Sequence, residues 1–407
     1  MQRTGLLGER LGHSYSPQIH ALLGDSAYTL FECERENLPA FMQGGDWDAI
    51  NVTIPYKKEV VSYCDTLSDA ARKLGSVNTV VRRSDGTIFG DNTDYFGFSH
   101  LVRESGLSVS GKKALVLGSG GASVTVCAVL RDLGAGEVVV ISRRGENNYQ
   151  NLARHANADL IVNTTPLGMY PYNGEKAVDL TQFPHCCGVF DLIYNPRRTA
   201  LLLQAEECGI LGFDGLSMLV AQAKRSREIF TDTVIDAAKI GEITQKLRMQ
   251  MQNIILVGMP GCGKSTVAHL LAERLHRRVI DSDSEIVARI GMDIPHFFAR
   301  CGEEAFRKVE TEVLADLGGR SGLVIATGGG CVTREENYPL LHQNGTIVWL
   351  RRDLSALPKD GRPISQAVSA EELFRRRAEQ YARFADFVVD NNAAAEDAAR
   401  AIEEELM

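Results

Sequence analysis

Two glycine-rich turns, each placed directly after an apolar β-rich run, constrain the fold of this chain more than any other feature. The first turn begins at Gly118 and the second at Gly258, so 140 residues separate them. Each is typical of the first βα unit of a doubly wound parallel sheet, where strand ends and a helix N-terminus face a phosphate. One compact nucleotide fold cannot use both turns at this separation. The sequence therefore predicts two nucleotide sites in an α/β protein.

Length and composition limit the rest of the molecule. The 407 residues correspond to two or three domains of about 150 residues each, and the 44% of hydrophobic residues is enough for their cores. A net charge of −8 argues against a nucleic-acid partner, and nine cysteines without a Cys-x-x-Cys pair argue against a disulfide framework or a zinc site. No stretch suits a signal peptide or a membrane span, so we expect a cytoplasmic protein without a membrane partner.

The second turn, residues 258–265 (GMPGCGKS), fills the pattern G-x-x-x-x-G-K-[ST] after an apolar strand. Its glycines allow backbone N–H groups to surround phosphates. Lys264 supplies positive charge against the β- and γ-phosphates, and the Ser265 hydroxyl can ligate magnesium. The pattern predicts an ATP site whose contacts come from Gly261, Gly263, Lys264, Ser265 and Thr266.

Carboxylates and arginines that suit phosphoryl transfer follow this turn. Asp281 and Asp283 come after a short apolar run, so we expect both just beyond a strand's C-terminal end and on one side of it. One could join the metal shell and the other could orient or deprotonate an acceptor hydroxyl, while a helix N-cap is the alternative. Scattered arginines usually belong to solvated faces, but three could converge on an acidic substrate: Arg307, Arg362 and Arg377.

Residues 251–407 resemble shikimate kinase, because five features follow one another in that family's order. They are the turn 258–265, here called the Walker turn, the Asp-x-Asp pair, the run 306–310 (FRKVE), the triple glycine 328–330 and two later arginines. The resemblance implies that Asp283 acts at the acceptor oxygen with Lys264 on the phosphates, and that Asp281 lies on the magnesium side. It also implies the substrate contacts, with Arg307 and Arg377 on the shikimate carboxylate, Gly329 and Gly330 along the pocket, and Arg362 near the transferred phosphate. The segment 355–361 is short and lacks the extra arginine of many members, for which Lys359 could substitute.

The first turn, residues 118–123 (GSGGAS), is an imperfect G-x-G-x-x-G, because Ser123 replaces the last glycine. Alone it indicates either a dinucleotide site or a plain βα turn. The following strand, 138–141, ends in arginines rather than in an acidic residue, which favours the 2′-phosphate of NADP over the ribose hydroxyls of NAD. The predicted NADP contacts are Gly118, Gly120, Gly121, Ala122, Ser142, Arg143 and Arg144.

A lysine and an aspartate precede this unit. Lys57 ends the run 51–57 (NVTIPYK), which leaves a strand at a proline, and Asp94 ends the polar turn 90–94. A buried Lys–Asp pair could handle a proton during carbonyl reduction, since each group can shift the pKa of the other. Spacing alone favours a structural salt bridge.

Residues 1 to about 248 resemble shikimate dehydrogenase along their whole length. The matching stretches are 12–17 (GHSYSP), 51–57, 76–79 (SVNT), 92–94 (NTD), 163–169 (NTTPLGM), 191–196 (DLIYNP) and 215–222 (GLSMLVAQ). The resemblance implies that Lys57 and Asp94 form the catalytic pair, with Lys57 as the proton donor, and it gives His13 a packing role. The implied substrate contacts are Ser14 and Ser16 for the carboxylate and Thr53, Asn78 and Gln222 for ring hydroxyls. Tyr95 stands where the family usually has glycine.

The dehydrogenase-like part is short between Arg144 and Asn163, which only 18 residues separate. A helix over 147–155 and a strand over 159–162 would use nearly all of them. Because a βαβ unit takes about 30 residues or more, one strand and its connection are missing. In the order 3-2-1-4-5-6 strand 3 is the edge strand, so the sequence predicts a trimmed sheet that still binds NADP.

These observations predict a bifunctional enzyme that interconverts 3-dehydroshikimate and shikimate with NADP(H) and phosphorylates the shikimate 3-hydroxyl with MgATP. Residues 1–98 form an α/β substrate domain, 99–225 a Rossmann-like NADP domain, and 251–407 a P-loop α/β/α kinase domain with a parallel sheet. A helix over about 226–250 packs back on the first domain. The alternatives are a quinate/shikimate dehydrogenase using NAD, or a dehydrogenase-like domain that only binds or senses shikimate. A homo-oligomer is left open.

Overall fold

The computed structural model describes residues 3–12, 14–357 and 369–406. Two compact units divide the chain. The first unit consists of Met1–Leu167, Lys176–Tyr194 and Gln204–Lys246, and the second of Gly168–Glu175, Asn195–Leu203 and Leu247–Met407. Two sheets belong to the first unit and one to the second. No helix in the described part of the chain is long and apolar enough to cross a bilayer.

The first sheet is six-stranded and mixed. Its strands are β1 (Thr4–Gly8), β2 (Thr29–Glu32), β3 (Ala49–Val52), β4 (Thr66–Leu67), β5 (Thr79–Arg82) and β6 (Ile88–Asp91), in the order β2-β1-β3-β5-β6-β4. β5 runs antiparallel to β3 and β6, and the other pairs are parallel. The accompanying helices are α1 (Ser16–Leu22), α2 (Leu38–Gly44), α3 (Asp69–Leu74) and α4 (Asp94–Glu104).

The second sheet is parallel throughout and has five strands. They are β7 (Lys113–Leu117), β8 (Glu137–Ile141), β9 (Leu160–Asn163), β10 (Gly188–Asp191) and β11 (Leu211–Phe213), in the order β11-β10-β9-β7-β8. Helix α5 (Gly121–Asp132) connects β7 to β8, and α6 (Ala200–Glu207) connects β10 to β11. In the order 3-2-1-4-5-6, β7 and β8 take places 1 and 2, and β9, β10 and β11 take places 4, 5 and 6. Place 3 beyond β8 is empty within the described residues, so the predicted loss of the edge strand is confirmed.

The connection between β8 and β9 differs from the prediction. A helix was expected over 147–155, but the chain forms only a 3₁₀ turn at Leu152–His155. Asparagine side chains explain the difference. Asn151 Oδ1 accepts from the Asn148 backbone N–H at 2.9 Å, and Asn151 Nδ2 donates to the Glu146 carbonyl at 2.8 Å. Such local side-chain to backbone bonds compete with helix formation.

Two helices, α7 (Leu216–Thr231) and α8 (Ala238–Met251), follow the second sheet. The single helix expected over about 226–250 is therefore divided between α7 and α8, because α7 ends at Asp232 in the left-handed conformation with φ 51°. α7 lies against α1 and α4. Its buried Ser226 Oγ is 2.8 Å from Asn51 Nδ2, which ties α7 to β3 of the first sheet.

The third sheet, in the second unit, is also parallel. Its strands are β12 (Asn253–Val257), β13 (Arg278–Asp281), β14 (Leu323–Ala326), β15 (Gly345–Arg351) and β16 (Phe387–Asp390), in the order β13-β14-β12-β15-β16. The two central strands β12 and β14 are buried along their whole length, as strands covered on both faces are. The helices are α9 (Lys264–Leu275), α10 (Ser282–Ile290), α11 (Ile294–Gly318), α12 (Asn337–His342), α13 (Ala370–Phe384) and α14 (Ala395–Leu406).

Candidate functional site

A cavity of about 840 Å³ lies at the carboxyl edge of the third sheet. The strands of a parallel α/β sheet point their carboxyl ends at the ligand, so this edge is the expected place for a nucleotide. All the predicted kinase residues that the structure describes line this one cavity: Gly261, Gly263, Lys264, Ser265, Thr266, Asp281, Asp283, Arg307, Gly329, Gly330 and Arg377. Arg362 and Lys359 lie outside the described residues.

Lys264 is the first residue of α9, directly after the glycine-rich turn. Its side chain is buried, and Nζ donates to the carbonyls of Gly258 at 2.9 Å and Met259 at 3.0 Å. These acceptors hold the ammonium over the glycine-rich turn. Lys264 is therefore placed to bind the phosphate chain of a nucleotide.

Asp281 ends β13 and has two roles. Its Oδ1 accepts from the backbone N–H groups of Asp283 at 3.0 Å and Ser284 at 3.3 Å, which makes Asp281 the N-cap of α10. Its Oδ2 accepts from Ser265 Oγ at 2.9 Å. Asp281 therefore caps α10, which was the alternative role, and also lies beside Ser265.

The residues at this point fit a magnesium ion. Ser265 Oγ and Asp281 Oδ2 are hard oxygen donors at the mouth of a phosphate-binding turn. Among the described residues no group of three or more His, Cys, Asp or Glu could hold a metal alone. Magnesium usually takes one or two protein oxygens together with substrate phosphates and water, so two donors are sufficient.

Asp283 lies beyond the strand, as expected, whereas Asp281 is the last residue of β13 rather than a residue beyond it. The chain turns into α10 at Ser282, and Asp283 occupies the first turn of that helix. Its carboxylate reaches the cavity because Gly328 leaves room. A Cβ added at Gly328 would lie 2.6 Å from Asp283 Oδ1 and 3.1 Å from Glu310 Oε1.

Arg307 forms a buried ion pair with Glu310 on the same helix, α11. Arg307 Nη1 donates to Glu310 Oε2 at 2.7 Å, and the two side chains are 7% and 1% exposed. Burial opposes the charge of Arg307, but Glu310 and Glu303 beside it raise its pKa. Burial also opposes the charge of Glu310 and raises its pKa, although the charge of Arg307 acts to lower that pKa. The pair fixes a guanidinium at the cavity wall, next to Gly330, where a Cβ would collide with it at 2.3 Å.

Arg377 comes from α13 and reaches the same wall. Its Nη1 donates to the Gly329 carbonyl at 3.0 Å, and the buried Tyr381 hydroxyl donates to that carbonyl at 2.5 Å. Two arginines therefore flank the triple glycine, and guanidinium groups are the preferred partners of a carboxylate. Sequence reasoning did not give Glu310 a role, although the run 306–310 contains it, three residues after Arg307 on one helix face.

The first unit brings Lys57 and Asp94 together. Lys57 follows β3, and its carbonyl accepts from the Val77 N–H at 2.7 Å, while Asp94 begins α4. Lys57 Nζ donates to Asp94 Oδ2 at 2.6 Å. The side chains are 30% and 20% exposed, so the pair is partly desolvated but open to a ligand. This arrangement suits proton transfer as well as it suits a salt bridge.

Asn78 and Gln222 meet at Thr93, which directly precedes Asp94. Asn78 Oδ1 accepts from the Thr93 backbone N–H at 2.7 Å, and Thr93 Oγ1 donates to Gln222 Oε1 at 3.4 Å. Both side-chain oxygens are thus occupied, and Gln222 Nε2 donates to the Leu219 carbonyl at 3.0 Å. The structure thereby brings two of the predicted hydroxyl-binding residues to the catalytic pair. Thr93 was not predicted by itself, although it lies inside the run 92–94.

The remaining predicted substrate residues lie near the first sheet. Ser14 Oγ accepts from the Ser16 backbone N–H at 3.2 Å, and Ser16 begins α1. Thr53 follows β3, and its N–H donates to the Leu7 carbonyl of β1 at 2.9 Å. Between the two serines, Tyr15 makes an edge contact with Tyr194, their ring centroids 5.8 Å apart. His13 lies outside the described residues.

Tyr95 occupies the first turn of α4, where glycine was expected from the resemblance. Its hydroxyl donates to Asp132 at the end of α5, and Lys73 Nζ reaches the same carboxylate at 2.5 Å. Burial and the adjacent Asp132 raise the pKa of Tyr95 to about 12. Tyr95 thus adds a link between α4 and α5 that glycine could not make.

The glycine-rich turn after β7 has space above it. Gly118 adopts φ 102° and packs against Thr164 and Thr165, and a Cβ there would lie 2.9 Å from both side chains. A Cβ at Gly120 or Gly121 would meet nothing within 4 Å, so the N-terminus of α5, which includes Ala122, is open to a pyrophosphate. Ser123, at the place of the third glycine, donates from Oγ to the Gly120 carbonyl at 2.7 Å. Ser123 thus makes a hydrogen bond within the turn that a glycine could not make.

The two arginines after β8 are exposed. Ser142 makes the turn, its N–H donating to the Asn147 carbonyl at 3.1 Å, and Arg143 and Arg144 project from it. Over the described ranges no carboxylate forms an ion pair with either arginine. β8 lies beside β7, which the glycine-rich turn follows. Unpaired guanidinium groups at this point suit a 2′-phosphate.

Comparisons with known proteins match two parts of the chain to two different families. A family model described as shikimate dehydrogenase substrate binding domain matches residues 6–80, and one described as shikimate kinase matches residues 260–407. Shikimate dehydrogenase (NADP(+)) of Clostridium beijerinckii is 35% identical over 62% of this chain and 99% of its own length.

Two solved structures resemble the same part. Shikimate dehydrogenase 1 of Peptoclostridium difficile has 37% identity and a TM-score of 0.56, covering 61% of this chain and 98% of that one. A chorismate mutase/shikimate 5-dehydrogenase fusion protein from Clostridium acetobutylicum has 38% identity and a TM-score of 0.57, covering 60% and 97%. Residues 260–407, which match the kinase model, follow this part in the chain.

Proposed function

This chain belongs to the shikimate dehydrogenase family and ends in a shikimate kinase domain, and from that premise we propose that it carries out two consecutive reactions. The first is the NADP-dependent interconversion of 3-dehydroshikimate and shikimate. The second is the MgATP-dependent phosphorylation of the shikimate 3-hydroxyl. The product of the first reaction is the substrate of the second, which gives the fusion a chemical logic.

The Lys57–Asp94 pair supports the first reaction. When bound, NADP(H) exchanges a hydride with the ring carbon that carries the reacting oxygen. Lys57 Nζ donates a proton to that oxygen during reduction and takes it back during oxidation, and Asp94, at 2.6 Å, stabilises the lysine charge. The amide nitrogen of Asn78 holds a ring hydroxyl beside the pair, since Thr93 engages the Asn78 oxygen. Gln222 holds a second hydroxyl when its Nε2 exchanges the Leu219 carbonyl for the substrate.

The wall of the kinase cavity supports the second reaction. ATP supplies the γ-phosphoryl group, and Mg²⁺ neutralises developing charge when both are bound. Arg307 and Arg377 bind the substrate carboxylate, which turns the ring hydroxyls toward the Walker turn. Asp283 accepts the proton of the attacking hydroxyl, and Lys264 exchanges its carbonyl acceptors for phosphate oxygens.

The single observation that carries the proposal is that each part keeps its own full set of reacting groups. Lys57 contacts Asp94, while Lys264, Asp283 and Arg307 line one cavity. The test uses the purified full chain with 3-dehydroshikimate and NADPH, followed by ATP and Mg²⁺. Lys57→Ala should lower the rate of NADPH oxidation by about 10²–10⁴-fold, and ADP formation should persist when shikimate is supplied directly. Lys264→Ala should abolish ADP formation and leave NADPH oxidation unchanged. Wild-type protein that binds shikimate but oxidises no NADPH would instead indicate a sensing domain.

The choice of NADP rests on Arg143 and Arg144, which the structure leaves exposed after β8. An Arg143→Ala/Arg144→Ala variant should raise the KM for NADPH about tenfold or more, since two charge-assisted bonds to the 2′-phosphate are lost. NADH lacks that phosphate and is the matched control, so its KM should stay constant. A wild-type enzyme that prefers NADH would contradict the assignment and favour the NAD-using alternative.

A further inference from the structure

A third arginine, Arg352, lines the kinase cavity and has no role in the reactions described above. It directly follows β15, and its guanidinium Nε is buried without a hydrogen-bond acceptor among residues 3–12, 14–357 and 369–406. The other two cavity arginines differ, because Arg307 donates to Glu310 and Arg377 to the Gly329 carbonyl. A buried donor without an acceptor is costly, and an anionic ligand would satisfy it.

The neighbouring residue shows that this orientation is specific to Arg352. Arg351, the last residue of β15, donates from Nε to Asp390 Oδ1 at 2.7 Å and from Nη2 to Oδ2 at 3.1 Å on β16. Consecutive residues at a strand end point to opposite sides. Arg351 is therefore engaged at the surface, with half of its side chain exposed, while Arg352 reaches the cavity.

The strand order indicates which ligand Arg352 meets. Asp283 follows β13 and the triple glycine 328–330 follows β14, both on one side of β12. They form the side of the cavity proposed to bind the hydroxyl that accepts the phosphoryl group. β15 lies on the other side of β12. The Walker turn itself begins against β15, since a Cβ at Gly258 would lie 2.4 Å from the Leu350 carbonyl. Arg352 is thus placed beside the phosphate-binding turn and across β12 from the acceptor groups.

We propose that Arg352 binds the phosphate chain of the nucleoside triphosphate. It supplies a guanidinium on the nucleotide side of the cavity. The proposal rests on the kinase reaction proposed above. A planar guanidinium suits this role because it can bridge two phosphate oxygens, which an ammonium group cannot do in the same geometry.

The first experiment compares Arg352→Ala with Arg351→Ala in the full chain. Arg352→Ala should raise the KM for ATP about tenfold, while the KM for shikimate changes less than about twofold. Arg351→Ala, which removes the same charge one residue earlier, should leave both constants unchanged. NADPH oxidation should stay at the wild-type rate in both variants and so reports that the chain is folded. Equal effects of the two substitutions, or none from Arg352→Ala, would overturn the proposal.

A binding measurement separates this inference from the proposed reaction. Calorimetric titration with the non-hydrolysable analogue adenylyl imidodiphosphate should show weaker binding to Arg352→Ala, and titration with adenosine should show no difference. Equal weakening of both ligands would place Arg352 on the base and overturn the phosphate assignment. If the wild-type chain binds the analogue but phosphorylates no shikimate, the proposed function fails while the titration still decides the role of Arg352.

Discussion

Lys57 Nζ lies 2.6 Å from Asp94 Oδ2, although 37 residues separate the two in sequence. One residue is fixed by the turn after β3 and the other by the start of α4, so the distance depends on the packing of the first sheet against α4. The same start of α4 holds Thr93, which engages Asn78 and Gln222. The groups proposed for proton transfer and for hydroxyl binding are therefore positioned by one helix N-terminus.

Replacing Lys57 tests this arrangement. Lys57→Ala should lower kcat for NADPH oxidation by about 10²–10⁴-fold, the usual contribution of a general acid or base. Shikimate phosphorylation by the same protein should not change, because no kinase residue is altered. Lys58→Ala is the matched control, since that lysine is exposed and adjacent. A Lys57→Ala enzyme with wild-type kcat would show that the pair is only a salt bridge.

The Arg307–Glu310 pair should matter for stability as well as for substrate binding. Glu310→Ala leaves a buried guanidinium without its partner, which typically costs about 3–5 kcal/mol of unfolding free energy. Glu303→Ala is the control, because Glu303 contacts the same arginine at 3.1 Å but is 60% exposed. That loss should be about 0–1 kcal/mol. Urea unfolding followed by circular dichroism measures both, and similar losses for the two variants would contradict the prediction.

The two roles of Asp281 can be separated. Asp281→Asn keeps an oxygen that caps α10 but removes the charge next to Ser265. The Mg²⁺ concentration for half-maximal kinase rate should therefore rise about tenfold, with little loss of unfolding free energy. Asp281→Ala also removes the cap and should cost about 1 kcal/mol more in unfolding free energy. Magnesium titrations and thermal unfolding of both variants check this. An unchanged magnesium requirement in Asp281→Asn would place the metal elsewhere.

The sequence was informative where a local pattern or a length decides the backbone. The Walker turn at 258–265 is a pattern of glycines, and the missing edge strand follows from the 18 residues between Arg144 and Asn163. It was less informative where side chains choose between local conformations. Asn148 and Asn151 bond to nearby backbone groups and prevent the helix expected over 147–155.

Long-range polar contacts could not be predicted from the sequence at all. Ser226 Oγ is 2.8 Å from Asn51 Nδ2 and from Thr79 Oγ1, and 2.9 Å from Thr93 Oγ1. Its partners are more than 130 residues away and share no motif with it. The network forms only when α7 packs on the first sheet, so it is a consequence of tertiary structure. Glu310 is an intermediate case, because its helical spacing from Arg307 indicates that the two side chains can meet.

His20, in α1, should make the stability of the first unit depend on pH. It is buried and stacks on Tyr28 with ring centroids 3.9 Å apart, and burial, assisted by the charge of Arg227, lowers its pKa to about 3. The unfolded chain binds a proton there near pH 6.5, so stability is complete above pH 6.5 and falls by up to about 1.4 kcal/mol per pH unit below it. In urea unfolding, His20→Gln should flatten the slope of unfolding free energy against pH between pH 6.5 and 4.5. His185→Gln is the control and should leave the slope unchanged, because His185 is an exposed histidine of the same unit. Parallel slopes for wild type and His20→Gln would show that His20 is protonated in the folded protein.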